Sequence, residues 1–318
     1  MHAVTLQRSG DASGQGQPAP FAAYRRRTAN RGPVAPLTGR MQVVRATLVL
    51  VLVLTGSLLM QLVIISDRQQ ASAERRSFDR FRSQLATGTA PIGPADQNGD
   101  VLKAGDPVAY VEIPSIDVHQ VVGESTTSAV LFNGLGHRRD TPLPGQIGTS
   151  VVFGRRSSYG GPFARISNLA AGAAITVTTG QGTFEYSVIG LRRAGDPVPP
   201  GPAKGSARLV LVTADGSPYV PNGVLRVDAD LVGTAVGGPA RLVTAAQLPA
   251  QERELASDTR TLWALAFWLQ ALIALSLLAV WGWHRWGRAQ TWIVLLPVLT
   301  LVGLAVSQEL ARLLPNLL

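Results

Sequence analysis

Two short clusters in this chain carry groups able to do chemistry. One is Thr213-Ala214-Asp215, which ends the apolar run Arg208-Leu209-Val210-Leu211-Val212. The other is Arg155-Arg156, followed by Ser157, Ser158 and Tyr159. A threonine hydroxyl or an aspartate carboxylate becomes a nucleophile only beside a base, and none neighbours Thr213 or Asp215 in sequence. Arginine stays protonated near neutral pH, so Arg155 cannot accept a proton. Its planar guanidinium can hold a carboxylate or a phosphate through two parallel hydrogen bonds. His137 lies near Asp140 and upstream of Ser157 and Ser158, the residue types of a Ser-His-Asp hydrolase. No G-x-S-x-G elbow accompanies them, and a structural His137 is the favoured reading. The chain has no cysteine, which excludes thiolate nucleophiles, disulfides and zinc–thiolate sites. Asp96-Gln97-Asn98-Gly99-Asp100 begins like a calcium loop, but Val101 and Pro107 stand where Gly and Glu are needed. It reads as a polar linker. No phosphate loop or dinucleotide fingerprint occurs, so neither a cofactor nor a metal is expected.

The elements that must position these groups fall into two kinds. Three apolar stretches, Val43 to Ile65, Leu262 to Trp283 and Thr291 to Leu314, reach the ~20 residues that a bilayer requires. Arg25, Arg26, Arg27, Arg31, Arg40 and Arg45 flank the first, and His284, Arg285 and Arg288 lie between the other two. The positive-inside rule then sets the N-terminus in the cytoplasm and residues 66 to 260 outside, together with Pro315 to Leu318. The net charge of +9 is assigned to this topology rather than to nucleic acid. Residues 1–40 read as a disordered basic cytoplasmic tail, 43–65 as a signal anchor, and 66–106 as a helical stalk and linker. Residues 107–233 change to short β-runs broken by Gly and Pro, the pattern of a barrel or sandwich. Residues 234–260 read as a second linker before transmembrane helices at 262–283 and 291–314.

Several motifs inside the β-rich region resemble, in order, those of the sortases, membrane-anchored cysteine transpeptidases of LPXTG-type signals. Glu112-Ile113-Pro114-Ser115-Ile116-Asp117-Val118 is similar to the family's "IPxIxV" strand. Gly134-Leu135-Gly136-His137 is similar to "GPGH", and Pro144-Gly145-Gln146 to its "PGxxGN" region, with Thr149 where Asn is usual. Val151-Val152-Phe153-Gly154-Arg155-Arg156 sits where the family has "VLAGHR". Gly161-Pro162-Phe163 with Ile166, Leu169 and Gly172 resembles "GPFxxLxxLxxGD", and Leu211-Val212-Thr213 precedes the nucleophile position. The resemblance covers about 125 of the 318 residues. It implies a closed, mainly β sortase-type barrel of seven to eight strands, to which the apolar stretches add three transmembrane α-helices, one N-terminal and two C-terminal.

The same resemblance puts Arg155 at the family's His position and Ala214 at its Cys position. The family's Arg falls on either Arg226 or Val224, a choice the strand pattern leaves open. A non-enzyme is therefore expected: a catalytically inactive, sortase-like plasma-membrane protein. Its extracytoplasmic domain would bind an envelope protein or a sorting-signal-like peptide in a cleft lined by His137, Arg155, Arg156, Tyr159, Thr213, Asp215 and Arg226. The lipid bilayer and a membrane-helix partner complete the expected contacts. The alternative is an envelope enzyme, transpeptidase- or hydrolase-like, using a non-cysteine mechanism in that cleft.

Overall fold

The computed structural model describes residues 39–318; the basic tail expected at the N-terminus lies almost entirely outside them. Eight strands close into a barrel: β1 Pro107–Ile113, β2 Val118–Glu124, β3 Leu135–His137, β4 Gly148–Phe153, β5 Ala174–Thr179, β6 Gly182–Arg192, β7 Ala207–Ser217 and β8 Val220–Val232. Their order around the wall is β1-β2-β3-β4-β7-β8-β6-β5. Two contacts, β2 with β3 and β4 with β7, are parallel, and the others are antiparallel. Ile175 and Val177 alternate with partly exposed neighbours along β5, as a half-buried strand requires. They meet Val111, Ile113, Leu209, Leu211, Leu225 and Val227 in the barrel interior.

β7 differs, because both of its faces are covered. Leu209 and Leu211 point into the barrel core, while Val210, Val212 and Ala214 belong to a second apolar cluster outside the wall. Burial on both sides explains why its sequence is a continuous apolar run rather than an alternating one. Asp215-Gly216, which reads as a turn, lies within the strand. A bulge falls there, with Gly216 at φ 106°, and the β7–β8 turn comes later at Pro218-Tyr219.

A helical rod leads to the barrel. α1 (Gly39–Met60) passes through a π-helical stretch, Gln61–Ile65, directly into α2 (Ser66–Thr87). Gly88, in the left-handed region at φ 66°, ends it. α2 is fastened to the barrel. Gln70 Nε2 donates to Gln120 Oε1 at 2.8 Å, the Glu74 carboxylate accepts from Val121 N at 2.7 Å, and Asp67 accepts from Gly160 N at 2.9 Å.

After a short helix, α3 (Ser128–Leu131), within the barrel's first half, two long apolar helices close the fold: α4 (Leu262–Arg285) and α5 (Arg288–Leu313). Among the described residues two stretches are long and apolar enough to cross a membrane, Thr259–Gly282 and Ala289–Leu313. The first expected span is helical, and Leu50–Met60 forms a shorter apolar section within it. Leu50, Val53 and Leu54 of α1 pack with Leu272, Leu295, Leu299 and Val306 of the hairpin. At the α1–α5 crossing, a Cβ on Gly303 would sit 2.5 Å from Ser57 Oγ, so glycine permits the close approach. The start of α4 and the end of α5 meet beside the barrel, where Asp258 N donates to Arg312 O at 3.1 Å.

Candidate functional site

The parallel pairing of β4 with β7 sets Phe153 beside Val212, and Gly154 N extends the ladder by donating to Val212 O at 3.0 Å. The two chemistry-bearing clusters, Arg155-Arg156 and Thr213-Ala214-Asp215, are thereby brought to the same edge of the barrel. Arg156 Nη1 donates to Ala214 O at 2.9 Å. A Cβ on Gly154 would lie 2.4 Å from the buried Phe163 ring, so the strand can leave the barrel here only through glycine. Ala214 is 1% exposed and lies three residues before the end of β7 rather than at its last position.

Arg155 is not a solvated member of a surface pair. It is fully buried. Its guanidinium carbon lies 4.5 Å from the Phe132 ring centroid and 5.3 Å from that of Tyr159, and these two rings stack at 4.1 Å. Burial lowers the guanidinium pKa to about 9, partly opposed by Tyr159, so the group remains a cation at neutral pH. No Asp or Glu side chain of the described residues forms a salt bridge with it. Nη1 donates to Ser158 Oγ at 2.8 Å and to Leu318 O at 2.5 Å, while Nε and Nη2 are buried without a partner.

The space between Ala214 and Arg155 is occupied by the segment that follows α5. Leu317 and Leu318 are buried against Leu131, Val151, Phe153, Val210, Val212, Ala214 and Val224. Ser158 Oγ donates to Leu318 O at 2.7 Å, and Arg156 N donates to Leu317 O at 3.0 Å. Asn316 Nδ2 donates to Thr126 O and Arg253 O, both at 2.9 Å. Asn316, Leu317 and Leu318 were not singled out from the sequence as site residues, and Ser158 only as a hydrolase candidate with His137 and Asp140. The available signal was the apolar Leu313-Leu314-Pro315-Asn316-Leu317-Leu318 run continuing past the last span.

The other expected site residues separate into three groups. His137 is buried with both ring nitrogens engaged: Nδ1 to Glu124 Oε2 at 2.9 Å, and Nε2 to Pro142 O at 3.0 Å. Burial works to lower its pKa, but Glu124, the Pro142 carbonyl and Asp140 together outweigh it and the net shift is upward. An imidazolium donating to a carboxylate and a carbonyl suits this geometry, and it leaves no free lone pair for base catalysis. Thr213 is also committed, its hydroxyl donating to Gly154 O at 2.8 Å. Asp215 accepts from Arg193 Nε at 3.0 Å and lies 3.8 Å from Arg156 Nη1. On β8, Val224 stands directly opposite Ala214, and Arg226 stands opposite Val212 and pairs with Glu254. Tyr159 is wholly buried under Arg155, with its hydroxyl 3.5 Å from Gln61 Nε2.

Residues 111–227 match the family model of the Sortase domain. The chain carries a sortase domain over these residues. The chain is 24% identical to Sortase D of Bacillus subtilis (strain 168) over 140 residues, 43% of this chain and 69% of that one. Among solved structures it is similar to the Sortase D5 transpeptidase of Clostridium perfringens, with 24% identity, 51% and 99% of the two chains covered, and a TM-score of 0.43. It is also similar to C. perfringens sortase C solved with the C-terminal cell wall sorting motif, with 19% identity, 51% and 89% coverage, and a TM-score of 0.38. The family match corrects the expectation of a non-enzyme. The sortase model and the curated sortase relative point to a transpeptidase enzyme family. That expectation weighed two side-chain identities, at Ala214 and Arg155, against a whole sortase frame that the barrel retains.

Proposed function

We propose that this protein is a membrane-held member of the sortase family whose barrel receives a peptide segment in the cleft between Ala214 and Arg155. One observation carries the reading: that cleft is shaped to hold a peptide and holds Pro315 to Leu318 of this chain. Val210, Val212 and Val224 supply an apolar floor. Arg155, Ser158 and the Arg156 amide supply donors aimed at peptide carbonyls. A sorting-signal-like segment of an envelope protein fits this lining. The two C-terminal helices and α1 anchor the domain in the plasma membrane, with the barrel on the outer face and the N-terminus inside. Because the chain has no native cysteine, Ser217→Cys should react with an impermeant maleimide in intact cells, and Ser13→Cys should not. The reverse pattern overturns the orientation.

Peptide binding is tested by titrating a labelled sorting-signal-like peptide, up to millimolar concentration, into the full-length protein in nanodiscs. Saturable binding that is lost in Ala214→Trp is expected. No binding, either by the protein or by variants with an emptied cleft, overturns the reading. A second reading is transpeptidation without a thiol. Arg155 and Ser158 both donate to one oxygen, Leu318 O, and two donors converging on one oxygen are the arrangement that stabilises developing oxyanion charge. An amine attacking such a carbonyl would form a new amide and release the original amine. Mass spectrometry of the same peptide incubated with an amine acceptor tests this, since a new amide product would establish it.

A further inference from the structure

We propose that the outer face of α2 is a docking strip for a linear phosphodiester polymer that runs along the helix away from the membrane. The proposal rests on the membrane-held reading above and is independent of the cleft.

α2 has two unlike sides. Asp67, Gln70 and Glu74 fasten one side to the barrel, and Ala73 and Phe81 are buried on it. The other side carries Arg68, Arg75 and Arg82, all exposed. They recur every seven residues, close to two helical turns, so they stack in one row about 10 Å apart. Arg76 and Arg80, also exposed and four residues apart, form a second row on its flank. None of the five forms an ion pair with an Asp or Glu of the described residues. The barrel treats its arginines differently: Arg138, Arg192, Arg193, Arg208 and Arg226 each pair with a carboxylate. Asp79 stands between Arg75 and Arg82 in sequence, is exposed, and pairs with neither.

The layout of this charge selects among anionic partners. α1 passes without a break into α2, so distance along the rod is distance from the apolar stretch that ends at Ile65. The headgroup layer of a bilayer is only about 5–8 Å deep. At about 1.5 Å per residue, Arg68 falls inside that layer, whereas Arg82 lies about 26 Å past Ile65. That is well beyond the ~8 Å over which charge is felt at physiological salt. A lipid surface therefore meets one end of the row and not the other. A small anion meets one arginine of the row at a time. A folded protein partner needs an apolar centre to its interface, and the exposed residues among the arginines, Ser72, Asp79 and Ala86, offer none. A phosphodiester chain needs no apolar contact. It carries a charge at every repeat, presents paired oxygens that suit the guanidinium fork, and can follow the row over its full length of about 21 Å.

The experiment uses the full-length protein in phosphatidylcholine nanodiscs and a fluorescent poly(glycerol phosphate) long enough to span the row. Saturable binding that weakens steeply with added salt is expected. Arg68→Gln/Arg75→Gln/Arg82→Gln should weaken it at least about tenfold, since three of its phosphate contacts are removed. Lys103→Gln/Lys204→Gln removes two exposed charges elsewhere and should leave binding within about twofold of wild type, because neither lysine lies on the strip. Equal losses in the two variants would show general attraction to the net charge and overturn the strip. Glycerol phosphate alone should compete poorly; competition as strong per phosphate as that of the polymer overturns the extended site. Adding phosphatidylglycerol to the nanodiscs should leave most of the binding intact. A loss as large as that of the triple variant would make the membrane surface the partner and overturn the proposal. Polyglutamate of equal charge should bind more weakly, and equal or tighter binding overturns the phosphodiester assignment. Absence of any polymer binding overturns the strip while leaving the membrane-held reading, which maleimide labelling tests by itself, standing.

Discussion

His137 and Arg155 are two buried cations in one barrel wall, and their surroundings could hardly differ more. His137 has Glu124 at 2.9 Å and a carbonyl on its other nitrogen, so its charge and donors are matched within the domain. Arg155 has aromatic faces, one hydroxyl and one carbonyl, with two donors idle. A compensated charge holds strands β2 and β3 together, where Glu124 and His137 are register partners. Arg155 has no such Asp or Glu partner and is held by the Phe132 and Tyr159 rings, Ser158 and Leu318 O. Buried polar groups are ordinarily satisfied, so the difference marks His137 as structural and Arg155 as the position at which the proposed peptide binding is to be tested.

The largest effect that sharpens this contrast is a pair of substitutions. Glu124→Leu should destabilise the barrel by about 3–5 kcal/mol, because it strands a buried imidazole that must then lose its proton or go unpaired. Arg155→Met should be neutral or stabilising in the same thermal denaturation while weakening peptide binding, since an apolar side chain replaces a buried charge that has no Asp or Glu partner. Strong destabilisation by Arg155→Met would break the comparison. Next is Gly154→Ala, whose new Cβ would press on Phe163. A loss of about 1–3 kcal/mol is expected from overpacking, together with weaker binding, because Arg155 is the next residue.

A third effect concerns pH. Glu74, on the helix that fastens to the barrel, is pushed up from 4.5 to about 7 by burial, against the opposing hydrogen bond from Val121. The folded state therefore binds a proton more tightly than the unfolded state, and stability falls as pH rises from about 4.5 to about 7. His137 acts in the same direction over a higher window. Its raised pKa contributes stability below about 6.5 that is lost as pH climbs through the folded value. Glu74→Gln should flatten the lower part of a melting-temperature profile and leave the upper part; an unchanged lower slope would contradict the assignment. The smallest effect belongs to the part-exposed Arg226–Glu254 pair, where Arg226→Gln should cost about 1 kcal/mol or less.

The barrel was legible because its signals are local. Alternating β5, the apolar run of β7 and the ordered motifs from Ile113 to Thr213 all lie within short windows. Asp215-Gly216 misled for an equally local reason: Asp-Gly favours a turn, and the longer β7–β8 ladder absorbed it as a bulge instead. The occupied cleft was not legible, since Arg155 and Leu318 are 163 residues apart. A pair of adjacent arginines ordinarily points to solvent, and only the Phe132–Tyr159 stack and the returning segment bury one of them. The register pairs Val224 with Ala214 and Arg226 with Val212, a placement that the strand pattern alone left open.

Only Leu314 separates the last turn of α5 from the segment seated in the barrel. The helix and the pocket therefore share one mechanical axis. Sliding α5 by a single turn moves its end about 5.4 Å, well beyond the span of the hydrogen bonds from Arg155 and Ser158. On the membrane-held reading proposed above, lipid thickness, through the depth at which α5 comes to rest, should bear on whether the pocket is filled.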